Sequence, residues 1–383
     1  MKPRFFRALP TLLSLLLLGL TLSCSEGEAP KDEFRIGFVA AISETAVRHN
    51  PDAARLAMEQ VDNAGGLKVA GRRLFVRLLP RDNQDRLEDT LVAVRELISR
   101  DRVTAIVGPY VSRQAIPAAV LAQNAGVLLI SPTSTNPETT RGKSLIFRAC
   151  FVDTAQGRAL ARFARNDLGA SRAAVLYDAA DDYCRGVAEY FRDAFVGLGG
   201  QVPAFEPYLT GEKNFRERLA RIKAAGCQVL LLPNFQPTLR EQIRLAGEMG
   251  VARTLLGSDS WHQPDVLALA EAQDAYFCTG FAPDRSTPET REFVRAYRER
   301  YGKDPILSDA MTYDSMQLLF QAARNAGGTQ PQMLAAGLAA IEDHQGVTGT
   351  IRFHGSGDPE RSVLIMRVQG KQAVFHKEIP PHE

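Results

Sequence analysis

The stretch ISPTSTNPETTRG, residues 130–142, sets six hydroxyls directly behind the apolar run 127–130: Ser131, Thr133, Ser134, Thr135, Thr139 and Thr140. Hydroxyls at that density either satisfy the backbone of their own turn or donate to something that is not protein. At the end of a buried strand, free backbone N–H groups favour an anion, and small side chains let it come close. A second group of chemistry-bearing residues is Ser258, Asp259, Ser260 and His262. Their types suit a Ser/His/Asp nucleophile, but no G-x-S-x-G is present and His262 is the one imidazole nearby. No G-x-G-x-x-G follows a strand-like run, and no G-x-x-x-x-G-K-[ST] occurs, which removes the dinucleotide and phosphate-loop readings. The histidines (49, 262, 344, 354, 376 and 382) never pair at i, i+4 around a Glu, and the cysteines form no CxxC or His-spaced zinc set. Binding is therefore favoured over catalysis.

The elements that must hold these residues alternate. Arg35–Ala41, 74–79, 103–107 and 127–130 read as strands, with helices over 51–64, 87–99 and 116–124 between them. After 147–150 the alternation restarts: helix 154–167, strand 173–177, helix 185–197, strand 202–205, helix 214–225, strand 229–232, helix 238–249, strand 254–257 and a short helix near 264–270. Strands separated by helices at this spacing form right-handed βαβ units and parallel sheets covered on both faces. Beyond 276–281 come helices at 288–300, 309–325 and 331–341, then strands around 347–353, 361–368 and 372–376. The fold class is thus α/β, with two doubly wound parallel-sheet lobes. In such sheets ligands bind past the carboxyl ends of the strands, which is where Thr133 to Asn136 fall.

Bulk composition limits the partners. Across 383 residues, 46 Lys+Arg stand against 44 Asp+Glu, a net charge of +2 with no arginine-rich face, so nucleic acid is not expected as a partner. The N-terminus differs from the rest: Lys2, Arg4 and Arg7 precede a leucine-rich run over 12–22, then Ser23-Cys24. That arrangement is a secretory signal rather than a spanning helix. It resembles a bacterial lipoprotein box in which Cys24 becomes the acylated first residue, with Thr21 departing from the usual aliphatic. Residues 25–33 then act as a tether, and the protein is exported to the periplasm or cell envelope. Cys150, Cys184, Cys227 and Cys278 remain; export permits an oxidised pair, but small buried hydrophobes are expected.

Taken in order, RIGFVAAIS (35–43), VDNAGGLKVAGRRL (61–74), AIVGPYVS (105–112), ISPTSTNPETTRG (130–142) and IFRACFVDTAQG (146–157) resemble the periplasmic branched-chain amino acid (leucine)-binding proteins, the solute-binding subunits of ABC importers. LLGSDSWHQPD (255–265), FVRAYRERYGKDP (293–305) and YDSMQLL (313–319) complete the resemblance, which spans Phe34 to about Lys377. It implies the type I periplasmic binding fold, a clamshell with a three-strand hinge. The hinge crossings are expected near 147–151, 278–283 and 343–347. Lobe 1 then combines 34–148 with 283–343, and lobe 2 combines 150–279 with 347–377. Cys150 and Cys278 would lie on neighbouring crossings, with their pairing left open.

The resemblance also implies the site. An α-amino acid presents a carboxylate, an ammonium and a side chain. Ser112, Thr135 and the backbone of Thr133 match the family's carboxylate donors; a helix N-cap is the plain alternative for Ser112 and a turn hydroxyl for Thr135. Asp259, a shorter acid within SDSW, falls where the family contacts the amine, and otherwise it would cap the next helix. Tyr183 matches a Tyr that covers the ligand from lobe 2, although Cys184 follows where the family has Gly. Phe235 falls at a second aromatic wall that is often Tyr. Trp261 either lines the side-chain pocket or packs in a core. SETAVRHNPD (43–52) replaces the family's Gly-rich first loop and brings Arg48 and His49 to the rim.

The implied mechanism is non-catalytic: ligand docks on lobe 1, lobe 2 closes over it, and a membrane permease recognises the closed shape. No cofactor or metal is implied. The expected partners are an amino acid, an ABC permease and, through Cys24, the membrane, with the protein itself a monomer. Two alternatives keep the fold: a different solute (an amide, a short-chain acid or an aromatic acid) or a sensory ectodomain.

Overall fold

A computed structural model describes residues 33–43, 49, 51–285 and 287–381; the leader, with Cys24, and Arg48 lie outside them. Six strands form the first sheet: β1 (Glu33–Ala40), β2 (Leu67–Val69), β3 (Arg72–Asp82), β4 (Ala105–Val107), β5 (Leu128–Ser131) and β6 (Ile146–Arg148). Their order is β2-β3-β1-β4-β5-β6, parallel except where β2 turns back on β3. Helices α1 (Asp52–Asn63), α2 (Leu87–Ser99) and α3 (Ser112–Asn124) make the crossovers. Because the chain leaves β1 first for β3 on one side and then for β4 on the other, a crevice opens at the carboxyl ends of β1 and β4.

Gly108, just past β4, occupies that crevice. Its φ is +101°, and a Cβ there would lie 2.2 Å from the Val39 carbonyl oxygen of β1, so only glycine lets the two strand ends approach.

The second sheet is built in the same way. After α4 (Asp153–Arg162) come β7 (Arg172–Asp178), α5 (Asp182–Gly197), β8 (Gln201–Tyr208), α6 (Arg216–Ala224), β9 (Val229–Leu232), α7 (Thr238–Met249), β10 (Thr254–Gly257), α8 (Pro264–Leu267) and β11 (Tyr276–Thr279). Its switch point lies between β7 and β9. The chain then forms α9 (Pro288–Tyr301), α10 (Leu307–Ala326) and α11 (Pro331–Ala339), none followed by a parallel strand. Met316, Leu319, Phe320, Leu334 and Leu338 share one buried cluster with Ile36 and Leu128, so α10 and α11 cover the first sheet.

After the hairpin of β12 (His344–Gly346) and β13 (Gly349–Ile351), β14 (Val363–Gln369) and β15 (Gln372–Ile379) add antiparallel strands to the edge of the second sheet. The sequence sets a return to lobe 2 near 343–347. In the structure Ile351 and Phe353 still pack with the first sheet, whereas Val363 packs with the second. Cys150, Cys184, Cys227 and Cys278 are all buried and unpaired. Among the described residues no helix is long and apolar enough to cross a membrane.

Replacing Gly108 by Ala is expected to cost about 2–4 kcal/mol, because the backbone of β1 cannot yield to a new Cβ as a side-chain tip would. Urea unfolding of the two proteins checks this: a midpoint shift that leaves the m-value unchanged is the expected result.

Candidate functional site

Both switch points face one cavity. Lobe 1 contributes His49, Tyr110, Val111, Ser112, Thr133 and the start of α10 (Leu307 and Ser308). Lobe 2 contributes Tyr183, Phe235, Gln236, Asp259, Ser260 and Gln263. The space is about 90 Å³ measured to the centres of water-sized spheres, several times what one water needs, so it admits a small solute.

The lobe 1 wall is made of helix starts. Ser112 is the first residue of α3, so its N–H and that of Arg113 precede the first intrahelical donors, Gln114 and Ala115, which both bond to Val111. Ser112 does not cap its helix. Its Oγ shares a 3.0 Å hydrogen bond with Ser134 Oγ and accepts from the Asn136 N–H at 3.4 Å. Leu307 and Ser308 open α10 in the same manner. Two helix N-termini therefore turn the positive ends of their dipoles toward the cavity. Thr133 lines it too, with its hydroxyl donating to the Tyr110 carbonyl at 2.9 Å.

Lobe 2 answers with a single charge. Asp259 lies just past β10, 8% exposed, and its Oδ1 accepts from the Tyr183 hydroxyl at 2.5 Å. Burial pushes its pKa up to about 6, against the opposing pull of the Tyr183 hydrogen bond. Tyr183 is buried in the first turn of α5, where Asp181 caps the helix by accepting from the N–H groups of Tyr183 and Cys184. The Tyr183 and Phe235 rings meet at 4.9 Å and 34°. His49 stacks on Tyr110 at 4.2 Å, and burial pulls its pKa down to about 4, so its ring is neutral at pH 7.

Two of the candidate residues lie outside the cavity wall, Trp261 taking the core position that was its alternative. Thr135 is fully buried behind the wall rather than in it; its carbonyl accepts from the Asp153 N–H at 2.9 Å, and its hydroxyl lies beside the Asp153 carboxyl. Trp261 is 0% exposed in the core of lobe 2, with its indole N–H donating to the Leu232 carbonyl at 2.8 Å. Asp153, behind Asp259, is also buried, and burial raises its pKa to about 8 with the Asp259 charge adding to the effect. Gln156 stands between the two acids: its amide NH2 reaches Asp153 Oδ1 at 3.4 Å and its carbonyl accepts from the Asp259 N–H at 3.0 Å. Among the described residues no His/Cys/Asp/Glu group is arranged to hold a metal.

What holds the hydroxyl loop is Arg148, which the sequence reading missed. It ends β6 with its side chain wholly buried and donates to the Ser134 carbonyl at 2.6 Å, the Asn136 carbonyl at 2.9 Å and Thr140 Oγ1 at 2.9 Å. Its Nε pairs with Asp358 at 2.7 Å. A charged residue inside the apolar run IFRAC was the available signal. The lobes also touch outside the cavity: Asn136 Nδ2 donates to the Asp182 carbonyl at 3.0 Å, and Arg113 lies 3.8 Å from Asp181 and 6.0 Å from the Phe235 ring centroid.

A family model described as periplasmic binding protein matches residues 34–373. An amino acid binding protein of Pseudomonas aeruginosa is 28% identical over 329 residues, covering 85% of this chain and 86% of that protein. Among solved structures, a leucine binding protein from Thermotoga maritima superposes with a TM-score of 0.82 at 26% identity, covering 91% of this chain and 99% of the other. The branched-chain amino acid transporter substrate binding protein of Streptococcus pneumoniae, in complex with isoleucine, gives a TM-score of 0.83 at 25% identity, covering 91% and 100%.

Replacing Arg148 by Met strips two buried carbonyls of their donor and removes the counter-charge of Asp358, which keeps only the Thr140 hydroxyl. The expected loss is about 2–4 kcal/mol of stability together with weakened ligand binding, since the loop carrying Thr133 loses its anchor. Thermal unfolding with and without ligand reads both effects.

Proposed function

The chain belongs to the periplasmic binding protein family, and we propose that it captures an α-amino acid between its lobes for an ABC importer. Its work is binding, not catalysis. The observation that carries the reading is the placement of one carboxylate, Asp259, across the cavity from the N-termini of α3 and α10. A zwitterion fits that polarity: its carboxylate meets N–H donors and hydroxyls, and its ammonium meets an anion already held by a tyrosine.

In this reading Ser112 Oγ, the first N–H groups of α3 and the backbone N–H of Thr133 hold the α-carboxylate. Asp259 takes the ammonium, and Tyr183 and Phe235 close over the solute. Thr135 acts through its backbone, tying the hydroxyl loop to α4. The segments 149–152, 280–285 and 354–362, where the chain passes between lobes, serve as the hinge. The bound amino acid stabilises the closed form by its differential affinity for it, and that form is what a permease reads. Export and anchoring by a lipid at Cys24 are supported by the basic start, the leucine run and the Ser23-Cys24 box of the leader. Relatives named for leucine, isoleucine and valine support the amino-acid class.

Isothermal titration with an amino-acid panel, alongside acids that lack an amine, tests the reading. Asp259→Asn should weaken amino-acid binding by about 2–4 kcal/mol, roughly 30- to 1000-fold, by removing the ammonium's partner. Equal binding of amine-free acids, indifferent to that substitution, overturns the amino-acid assignment.

The pH dependence has a definite sign. Asp259 holds its proton more tightly folded than unfolded, so its protonation favours the folded protein toward acid, and that contribution fades as pH rises through about 6. The ammonium needs the ionised form. Affinity should therefore be level above about pH 7 and about tenfold weaker at pH 5, and the Asn variant should lose this slope. Titrations at four or five pH values check it.

A further inference from the structure

A cation stands where a helix least favours one. Arg113 is the second residue of α3, whose dipole opposes a guanidinium in the first turn, and no acid of that turn offsets it. Two carboxylates do so instead, one from each lobe. Asp85 of lobe 1 accepts from Arg113 Nη2 at 2.5 Å and from Gln114 Nε2 at 2.8 Å. Gln114 is held in turn by the buried Asn83, whose amide donates to its Oε1 at 2.8 Å. Asp181 of lobe 2 lies 3.8 Å from Arg113 Nη1.

Asp181 is a fixed group. Its side chain is 11% exposed, and its Oδ1 accepts at 3.0 Å from the N–H groups of both Tyr183 and Cys184, while Oδ2 is the oxygen turned toward Arg113. The same guanidinium lies 6.0 Å from the centroid of the Phe235 ring, within the range of a cation–π contact, and that ring packs on Tyr183. From outside the cavity, Arg113 thus reaches both aromatic residues of its lobe 2 wall: Phe235 by its face, and Tyr183 through the cap of α5. The contact has a second member at the same edge. Asn136 Nδ2 donates to the Asp182 carbonyl at 3.0 Å, and Gly186 makes the room, since a Cβ there would lie 3.1 Å from Asp153 Oδ2 and 3.5 Å from Asn136 Nδ2.

These partners behave differently when the lobes part. Asp85 and Gln114 travel with Arg113, so the guanidinium stays oriented whether the lobes are together or apart. Asp181 and Phe235 leave with lobe 2. A side chain already held in position loses little freedom when the cross-lobe contact is remade, which lowers the entropic cost of closure. An ion pair this close to solvent changes an equilibrium only about two- to fivefold. Here the equilibrium it changes is the one between open and closed lobes.

We propose that Arg113 is an interlobe latch: it stabilises the closed form through Asp181 and Phe235 and so slows the release of whatever the cavity holds. This rests on the closure step of the proposed function and names a residue that sets it.

The test is a double-mutant cycle. Arg113→Gln removes the cation, and Asp181→Asn removes the facing charge while keeping an oxygen that caps α5. Leucine affinity and release rate are measured for the wild type, both single variants and the double variant by titration calorimetry and stopped flow, at low and high salt. Each single substitution should speed release about two- to fivefold with association little changed, and the double variant should be no worse than either single, because the two charges act on each other. Added salt should speed release from the wild type and leave the Arg113→Gln variant unmoved, and Arg113→Lys should recover part of the effect. Substitutions whose effects add, or a salt response that survives Arg113→Gln, overturn the latch. Small-angle X-ray scattering of the free proteins decides the matter if the wild type does not bind leucine. The latch then requires a larger radius of gyration for Arg113→Gln than for the wild type, and equal radii overturn it. A failure of leucine to bind bears on the amino-acid reading alone.

Discussion

The site depends first on a buried guanidinium. Arg148 reaches from the last strand of the first sheet into a loop of hydroxyls and holds it by two backbone carbonyls and a threonine oxygen. A loop so rich in Ser and Thr has many ways to satisfy itself, and without an outside anchor its conformation would be under-determined. The planar fork of an arginine removes that freedom because its donors point in fixed directions. Its counter-charge, Asp358, comes from the segment that returns the chain to the second lobe. The hydroxyl loop behind Thr133 and the segment around Asp358 are thus tied to the same side chain.

A second buried arginine repeats the device close by. Arg361 donates to the Ala149 carbonyl and to the carbonyl and hydroxyl of Thr348, and Asp314 of α10 in turn accepts from the N–H groups of Val347 and Thr348. Ala149 follows Arg148 directly, so adjacent residues of the first crossing meet two different arginine networks. Such networks hold the backbone where the chain passes from one sheet to the other, and a hinge placed there would keep that register while the lobes turn. Hinges of this kind absorb motion at a few residues and leave the packed cores intact.

Much of this was legible in the sequence, for identifiable reasons. Parallel strands buried on both faces read as continuous apolar runs, so VLLL (229–232) and the run 127–130 announced themselves, and the helices between them carried ordinary amphipathic spacing. The late helices were recognised as lacking a sheet, and they do cover the first one. Side-chain direction was less accessible. Thr135 and Thr133 are two residues apart on a loop without regular pleat, and nothing in their types says which one turns inward. Trp261 is two residues from Asp259, but a Cβ on Gly257 would lie 2.2 Å from its ring, and that space beside the strand draws the indole into the core. Gln236, Ser308 and Arg148 were missed because each acquires its role from partners far away in the chain.

The electrostatics of the cavity follow from the same geometry. Asp259 is desolvated by burial and only partly compensated by its hydrogen bonds, that from Tyr183 foremost, which is why its affinity for a proton rises. Asp153 behind it, its pKa raised to about 8 by burial, is mostly protonated at pH 7 and leaves Asp259 as the charge on that side, while the helix starts opposite make the far wall positive. A cation arriving beside Asp259 relieves a charge that closure has already stripped of water, whereas in the open form the same cation would replace solvent that was serving well enough. The difference between those two situations is the differential affinity that shifts a hinge equilibrium. In the proposed reading a solute lacking the positive group fills the space without supplying that difference, and the carboxylate on lobe 2 would be what connects occupancy of the cavity to closure of the lobes.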